Sequence, residues 1–312
     1  MIRRAVALIA LVLLVLTAAP AVAAEGSRVG LRPADPDQSW VVLQLAPGAS
    51  QRAEAVVSNT SDAPQAVRFS TADATTTADG VFTLAGEAEP RRGVGAWITP
   101  DTTRLTLAPH ESRTIGFTVR VPEGATPGDH AGGLLVQADG PAEAASGEGM
   151  SVTIVERVGL RVYVDVPGVR DGHVALEGVR ADVIRDGGVR GVLGMPDGVD
   201  VHFTVRNAGN VGYSRIHALV ELLDGDAVRS ATQVDLGTLL PGGVRDAQAR
   251  LALGGWTTGH YTARVRVGAV PEARAEARVT VGAGRVWTAG GLVVGGLLVG
   301  SAGLRRRMRR AS

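Results

Sequence analysis

The chain contains no cysteine and no lysine among its 312 residues, and only 4% of them are aromatic. Without cysteine, neither a disulfide scaffold nor a thiolate metal site can form, so its domains must be stabilised by hydrophobic packing. All 32 basic residues are arginine, and glycine contributes 42 residues, a composition typical of a bacterium with a GC-rich genome. The length is sufficient for about two domains, each with its own core.

Basic residues are concentrated at the two ends of the chain. Without Arg3, Arg4 and the arginines of the last eight residues, 25 arginines remain against 31 acidic residues, a net charge of −6. A surface of this sign offers no electrostatic footprint for nucleic acid, and its net charge does not attract anionic wall polymers. We therefore expect no nucleic-acid partner.

The C-terminus predicts one transmembrane helix over residues 286–304, which contain no charged residue. About 19 helical residues span roughly 28 Å, enough to cross the hydrocarbon core of a bilayer. Trp287 lies where an aromatic ring anchors a helix at the membrane interface. The arginines that follow indicate that residues 305–312 form a cytoplasmic tail. They are Arg305, Arg306, Arg307, Arg309 and Arg310.

The N-terminus predicts a signal peptide over residues 1–24. Arg3 and Arg4 precede an apolar run, and small residues then offer a cleavage site after Ala23 or Ala24. Both ends together predict a single-pass type I protein of the cell membrane, with its ectodomain outside a bacterium of high GC content.

The region between these ends alternates apolar and polar residues over short segments separated by Pro, Gly, Asn and Asp. A period of two is typical of half-buried strands in antiparallel sheets. Clear examples are Ile115, Phe117, Val119 and Val121, and later Val199, Val201, Phe203 and Val205. Strands at this spacing predict an all-β protein with two tandem Ig-like β-sandwich domains, over residues 27–167 and 168–284.

A short internal repeat links the two predicted domains. Leu107-x-Pro109-x-x-x-Arg113 has the same spacing as Leu239-x-Pro241-x-x-x-Arg245. Upstream, each half has an alternating segment that ends in asparagine, at Asn59 and Asn207. Two similar sandwiches in tandem are the simplest explanation, although short Pro/Gly motifs can also match by chance.

The sequence shows no catalytic set. The six histidines are scattered without metal-ligand spacing, and neither a nucleophile elbow nor a phosphate-binding glycine loop is present. We therefore expect no enzyme activity, no cofactor and no metal site. Trp40, Trp97 and Trp256 allow either a sugar-stacking platform or, as we favour for each, packing in a core or against a sheet edge.

Residues 72–95 interrupt the strand rhythm and form the leading candidate binding loop, since long insertions often carry function. The alternative, which we favour, is a plain hairpin plus a mobile loop. The candidate residues are Thr75, Thr76, Asp79, Arg91 and Arg92.

The predicted membrane helix contains two pairs of glycines at Gly-x-x-x-Gly spacing, which gives helices small faces for close approach. The pairs are Gly291 with Gly295, and Gly296 with Gly300. A homo-oligomer that pairs through this helix is therefore a hypothesis.

Several motifs of the first predicted domain occur in an order that resembles the N-terminal domain of bacterial WxL-interacting proteins. They are Leu45-Ala46-Pro47-Gly48, Val57-Ser58-Asn59-Thr60-Ser61-Asp62, Asp73-Ala74-Thr75-Thr76, Leu107-Ala108-Pro109-His110-Glu111-Ser112, Pro127-Gly128-Asp129-His130-Ala131-Gly132-Gly133 and Val158-Gly159-Leu160-Arg161-Val162-Tyr163-Val164. The resemblance covers residues 27–167. It implies a cell-surface protein with two Ig-like domains and a C-terminal span, whose first domain is associated with peptidoglycan binding.

We therefore expect a non-enzymatic, membrane-anchored protein that binds peptidoglycan or a cell-surface protein. The alternative is a structural or assembly subunit of an envelope complex that pairs through its Gly-rich helix.

Overall fold

A computed structural model describes residues 28–139, 145–147, 150–152, 157–185, 196–253, 258–269 and 272–281. The predicted signal peptide, membrane helix, basic tail and Trp256 lie outside these residues. Within the described ranges, no helix is both long and apolar enough to cross a membrane.

Two sheets face each other in the N-terminal half, which we call the first sandwich. One sheet has the order β1-β3-β8-β6, and the other has the order β2-β12-β9-β4-β5, with β7 paired to β4. The elements are β1 (Val29–Pro33), β2 (Val41–Gln44), β3 (Ser50–Asn59), β4 (Gln65–Thr76), β5 (Phe82–Leu84), α1 (Val94–Trp97), β6 (Ile98–Pro100), β7 (Arg104–Leu107), β8 (Ser112–Arg120), β9 (Gly128–Ala138), β10 (Ala145–Gly147), β11 (Met150–Val152) and β12 (Arg157–Val166).

The C-terminal half repeats this architecture as the second sandwich. Its sheets have the orders β13-β14-β17 and β16-β15-β18-β19. The strands are β13 (Val174–Ile184), β14 (Gly198–Asn207), β15 (Tyr213–Asp224), β16 (Ala227–Leu239), β17 (Val244–Ala252), β18 (Gly259–Val267) and β19 (Ala273–Val281). The predicted predominance of β-structure is thus confirmed.

Each sandwich has its own core, formed by the apolar residues that alternate along its strands. The predicted inward faces of β8 and β14 are fully buried, including Phe117 and Phe203. Removing such side chains from water at about 25 cal/mol per Å² supplies most of the stabilisation. Trp97 joins the first core from α1, whereas Trp40 is 46% exposed and packs against Tyr163 next to the edge strand β2.

The alternation of apolar and polar residues predicts a strand from Ser151 to Val166. The structure describes two parts of this segment, residues 150–152, which pair with β10, and β12 from Arg157 onward, and residues 153–156 lie outside the described ranges. β9 and β12 pair antiparallel, with Gly128 opposite Val166 at one end and Gln137 opposite Arg157 at the other.

The internal repeat places a buried asparagine at the end of one strand in each sandwich. The Asn59 side-chain amide donates to the carbonyl oxygens of Ala63, at 2.8 Å, and Ala108, at 2.9 Å. The Asn207 amide donates in the same way to Val211, at 2.8 Å, and Leu239, at 3.2 Å. Because carbonyls at a turn inside a sandwich have no strand partner, each asparagine supplies donors that the turn lacks.

The turn of the repeat requires left-handed backbone at its centre. His110 has a φ of 58°, and the matching Gly242 has a φ of 75°. Glycine adopts this conformation without strain, whereas histidine is among the few other residues found there. The repeat is therefore conserved in conformation between the two sandwiches of this chain, although the residue type differs.

The two sandwiches are joined through Asn210, in the loop between β14 and β15. Its side-chain amide donates to the carbonyl oxygens of Pro127, at 2.9 Å, and Val169, at 2.8 Å, and its side-chain oxygen accepts the Asp171 N–H at 2.7 Å. Asp129 donates its backbone N–H to the Asn210 carbonyl oxygen at 2.8 Å. A side chain on Gly128 would collide with that same carbonyl group, so glycine is required for this close approach.

A second contact lies at the tip of the β4–β5 hairpin. The Thr238 N–H donates to the Gly80 carbonyl oxygen at 2.8 Å, and the Arg245 guanidinium donates to the Ala78 carbonyl oxygen. Beside them, hydrogen bonds from the Thr77 hydroxyl and from backbone N–H hold the pKa of Asp79 below its usual range, with a further contribution from Arg245. The hairpin tip is therefore docked against the edge of the second sandwich.

We predict that Asn59→Ala destabilises the first sandwich by roughly 3 kcal/mol, because it leaves buried carbonyl groups without donors. Denaturant unfolding followed by circular dichroism measures the change. Gln51→Ala is the control, since Gln51 is an exposed amide on the same strand, and we expect its effect to stay within about 0.5 kcal/mol. Equal effects of the two variants would refute the structural role of Asn59.

We predict that Asn210→Ala loosens the joint between the sandwiches without unfolding either one. Loss of three side-chain hydrogen bonds should speed amide hydrogen exchange at Asp171 and Gly212 by about tenfold, which corresponds to about 1.4 kcal/mol. Exchange followed by mass spectrometry tests this, with Asp226→Ala in an exposed turn as the control. Unchanged exchange at both amides would show that the joint does not depend on Asn210.

Candidate functional site

A row of aromatic side chains lies on the outer face of the larger sheet of the first sandwich. Trp40 and Tyr163 meet edge to face with ring centroids 6.2 Å apart, and Phe82 lies 5.8 Å from Tyr163. The Arg161 guanidinium carbon lies 4.4 Å above the centre of the Phe82 ring. The row therefore combines rings with a cation, an arrangement that stabilises both.

Strand register determines which residues share this face. Tyr163 of β12 lies opposite Val42 of β2 and Ala131 of β9. Because side chains alternate across a strand, the buried Val162 and Val164 point into the core and leave Tyr163 outside. Val42 is 59% exposed. An apolar platform thus remains on the solvent side of the sheet.

The platform forms one wall of a cleft of about 420 Å³ between the two sandwiches. The opposite wall comes from the second sandwich, where Tyr213, Ser214, Thr238, Leu240 and Pro241 line it. Tyr213 is held in place, since its hydroxyl donates to the Gly172 carbonyl oxygen at 2.7 Å. Mixed apolar and hydroxyl walls between two domains are typical of ligand sites.

Charged groups at the cleft fall into two classes. Asp129 and Asp165 both pair with Arg170, with N–O distances of 2.7 and 2.6 Å, so one negative charge remains among these three groups. Arg161 and Arg215 also line the cleft, one on each wall, and neither forms an ion pair with any residue that the structure describes. The cleft therefore presents two cations without internal carboxylate partners, a local charge that suits an anionic group.

His130 lies at the base of this region but shows no catalytic geometry. Its Nε2 atom lies 2.8 Å from the Thr126 carbonyl oxygen, and its ring centre lies 4.8 Å from that of Trp97. The contact with Thr126 satisfies one ring nitrogen of His130 beside a turn. Over the described ranges, no group of three or more His, Asp or Glu side chains could hold a metal ion.

The candidate binding loop at residues 72–95 is divided between two places. Thr75 and Thr76 belong to β4, where they pair with Thr83 and Phe82 of β5, and Asp79 lies at the docked hairpin tip. Arg91 turns back and donates to the Thr71 hydroxyl at 3.0 Å. The segment therefore contains a hairpin, formed by β4 and β5, followed by a loop.

The loop after the hairpin is held by Asp73. Its carboxylate accepts backbone N–H groups from Arg92, at 2.6 Å, from Gly93, at 2.9 Å, and from Gly95, at 2.7 Å. Val94 and Phe82 are buried, so the segment contributes to packing. Whether Arg91 and Arg92 also contact a ligand stays a prediction.

The cleft was not predicted from the sequence. The sequence feature that pointed towards it was the rarity of aromatic residues. However, Trp40 and Tyr163 lie far apart in the chain. Only strand pairing between β2 and β12 brings them together.

A search of curated proteins finds no match to this sequence. Among solved structures, a chaperone–tip adhesin complex of CFA/I fimbriae biogenesis shares 10% identity at a TM-score of 0.41, covering 81% of this chain and 98% of that one. The Escherichia coli chaperone DraB shares 14% identity at a TM-score of 0.35, covering 80% of this chain and 98% of that one. The Pseudomonas aeruginosa CupB2 chaperone shares 11% identity at a TM-score of 0.32, covering 78% of this chain and 98% of that one. At these scores, the likenesses carry no argument about function.

The family comparison concerns the first sandwich. Its matched segment runs from the end of β1 to the end of β9 and includes Trp40, Val42 and Asp129. Residues 33–138 match the family described as WxL Interacting Protein, peptidoglycan binding domain, which confirms the resemblance that the motifs of this region predicted.

Proposed function

We propose that this protein is a non-enzymatic surface protein that binds peptidoglycan through its first sandwich. The observation that carries the proposal is the match of residues 33–138 to a peptidoglycan-binding domain family. The aromatic platform and the cleft supply a surface of the required kind, with exposed rings, hydroxyl groups and two arginines. A protein partner at the cell surface is the alternative ligand.

We further propose that the sandwiches are separate Ig-like domains, residues 27–167 and 168–284, tethered to the cell membrane by residues 286–304 after removal of residues 1–24. β19 ends at Val281, a few residues before the predicted helix. This order along the chain would hold the second sandwich next to the bilayer and direct the first sandwich outward. Such an arrangement suits a domain that must reach a wall lying outside the membrane.

We predict that the full chain, purified in mild detergent, co-sediments with protein-free peptidoglycan sacculi in a saturable manner. The physical basis is contact between exposed rings and sugar faces, which persists in moderate salt because it does not depend on long-range charge. Sedimentation without sacculi provides the background. A protein that stays in the supernatant at all sacculus concentrations would exclude wall binding and direct the search to a protein partner from the native membrane.

The Gly-rich segment carries a second candidate function, an assembly subunit that pairs within the membrane. Its two Gly-x-x-x-Gly spacings would allow the backbones of two helices to approach closely.

We predict that changing both Gly295 and Gly296 to Leu lowers chemical crosslinking of the protein in membranes several-fold, since bulky side chains keep the helices apart. Changing Leu297 and Leu298 to Ile is the matched control, because it alters neighbouring residues but keeps the small faces. If the glycine variant crosslinks as well as the unaltered protein, pairing does not use this surface.

A further inference from the structure

Trp40 occupies a position that the fold does not require. Trp40 is 46% exposed and is not part of the buried core of the first sandwich. An edge-to-face contact with Tyr163 holds its ring at the surface. Exposed aromatic rings beside a concave surface are typical of binding sites rather than of stability.

Sugar rings match such a surface because they present flat arrays of C–H groups bordered by hydroxyl groups. Trp40, Tyr163 and Val42 offer the apolar contact, while Ser214 and Thr238 on the other wall offer hydroxyl groups. The volume of about 420 Å³ falls within the range of sites for drug-sized ligands, which corresponds to one or two sugar rings.

The charged residues of the cleft indicate which kind of glycan would bind there. Arg170 pairs with both Asp129 and Asp165, and with Arg161 and Arg215 the cleft has three arginines against two aspartates, a net charge of +1. Arg161 and Arg215 form no ion pairs with described residues and face the same space from opposite walls. A neutral polysaccharide would leave both cations unpaired, whereas a glycan that carries carboxylate groups on peptide stems would pair with them.

We infer that the cleft between the sandwiches binds a peptidoglycan glycan strand, with Trp40 and Tyr163 stacking on sugar rings and Arg161 and Arg215 pairing with stem-peptide carboxylates. This inference rests on the proposed function and adds the site. The site is then composite, because one of its two cations, Arg215, belongs to the second sandwich. The matched family segment ends at residue 138 and contains neither arginine.

The test measures the affinity of the full chain, in detergent, for three ligands. They are intact sacculi, glycan strands stripped of stem peptides by an amidase, and free stem peptides. We expect Trp40→Ala to weaken binding to sacculi and to stripped strands by about tenfold or more, as for a buried aromatic anchor. Trp40→Phe should recover most of the affinity, since it restores a ring.

The arginines are tested separately. We expect Arg161→Ala and Arg215→Ala each to weaken binding to intact sacculi about threefold, as for partly exposed ion pairs, and to leave binding to stripped strands unchanged. Val228→Ala is the matched apolar control, because Val228 is exposed on β16 and does not line the cleft. Circular dichroism and melting curves that match the unaltered protein show that each variant is folded.

The results distinguish failure of the proposed function from failure of the proposed site. If the unaltered protein does not bind sacculi, the proposed function fails together with the site. If it binds sacculi and Trp40→Ala binds equally well, the site is wrong while the function stands. Loss of binding in an Arg91→Ala, Arg92→Ala variant but not in Trp40→Ala would assign the site to the loop after β5. Binding of free stem peptides without stripped strands would replace the glycan ligand by a peptide.

Discussion

The cleft depends on the hydrogen bonds of one residue, Asn210. Its backbone and side chain form hydrogen bonds with two segments, residues 127–129 at the start of β9 and the linker after β12. Because donors and acceptors on both its backbone and its amide are used, the linker cannot turn without breaking several bonds together. Asp129 reinforces this joint, since its carboxylate accepts the Gly212 N–H at 2.8 Å and pairs with Arg170.

Alternation along the strands predicted which apolar residues form the cores, because a half-buried sheet requires a period of two. The two Leu-x-Pro turns of the repeat lie next to asparagines at matching strand ends. The reason for those asparagines was not visible, because it lies in carbonyl groups brought close only by folding. The exposure of the tryptophans was likewise not visible in the sequence. Trp40 and Trp97 differ in exposure because one precedes an edge strand and the other belongs to a buried turn of helix.

The motifs that carry the family resemblance act mostly through packing. Asp73 binds three backbone N–H groups, and side chains on Gly132 or Gly133 would collide with Val94 or Leu84. These residues determine how β4, β9 and α1 fit together, so matching them identifies the fold of the domain. Trp40 and Arg215 contribute nothing comparable to packing. Sequence motifs therefore located the domain but not its cleft, which is assembled from residues of both sandwiches.

The charge of the chain has different effects over its whole surface and inside the cleft. The acidic excess between its ends acts over the whole surface, yet charges farther apart than about 8 Å are largely screened at physiological salt. Arg161 and Arg215 act on groups inside the cleft, where together with Arg170 they outnumber the two nearby carboxylates by one charge. A net negative surface is thus compatible with a locally cationic site. Contact with an anionic wall polymer would then depend on the shape and stacking of the cleft rather than on long-range attraction.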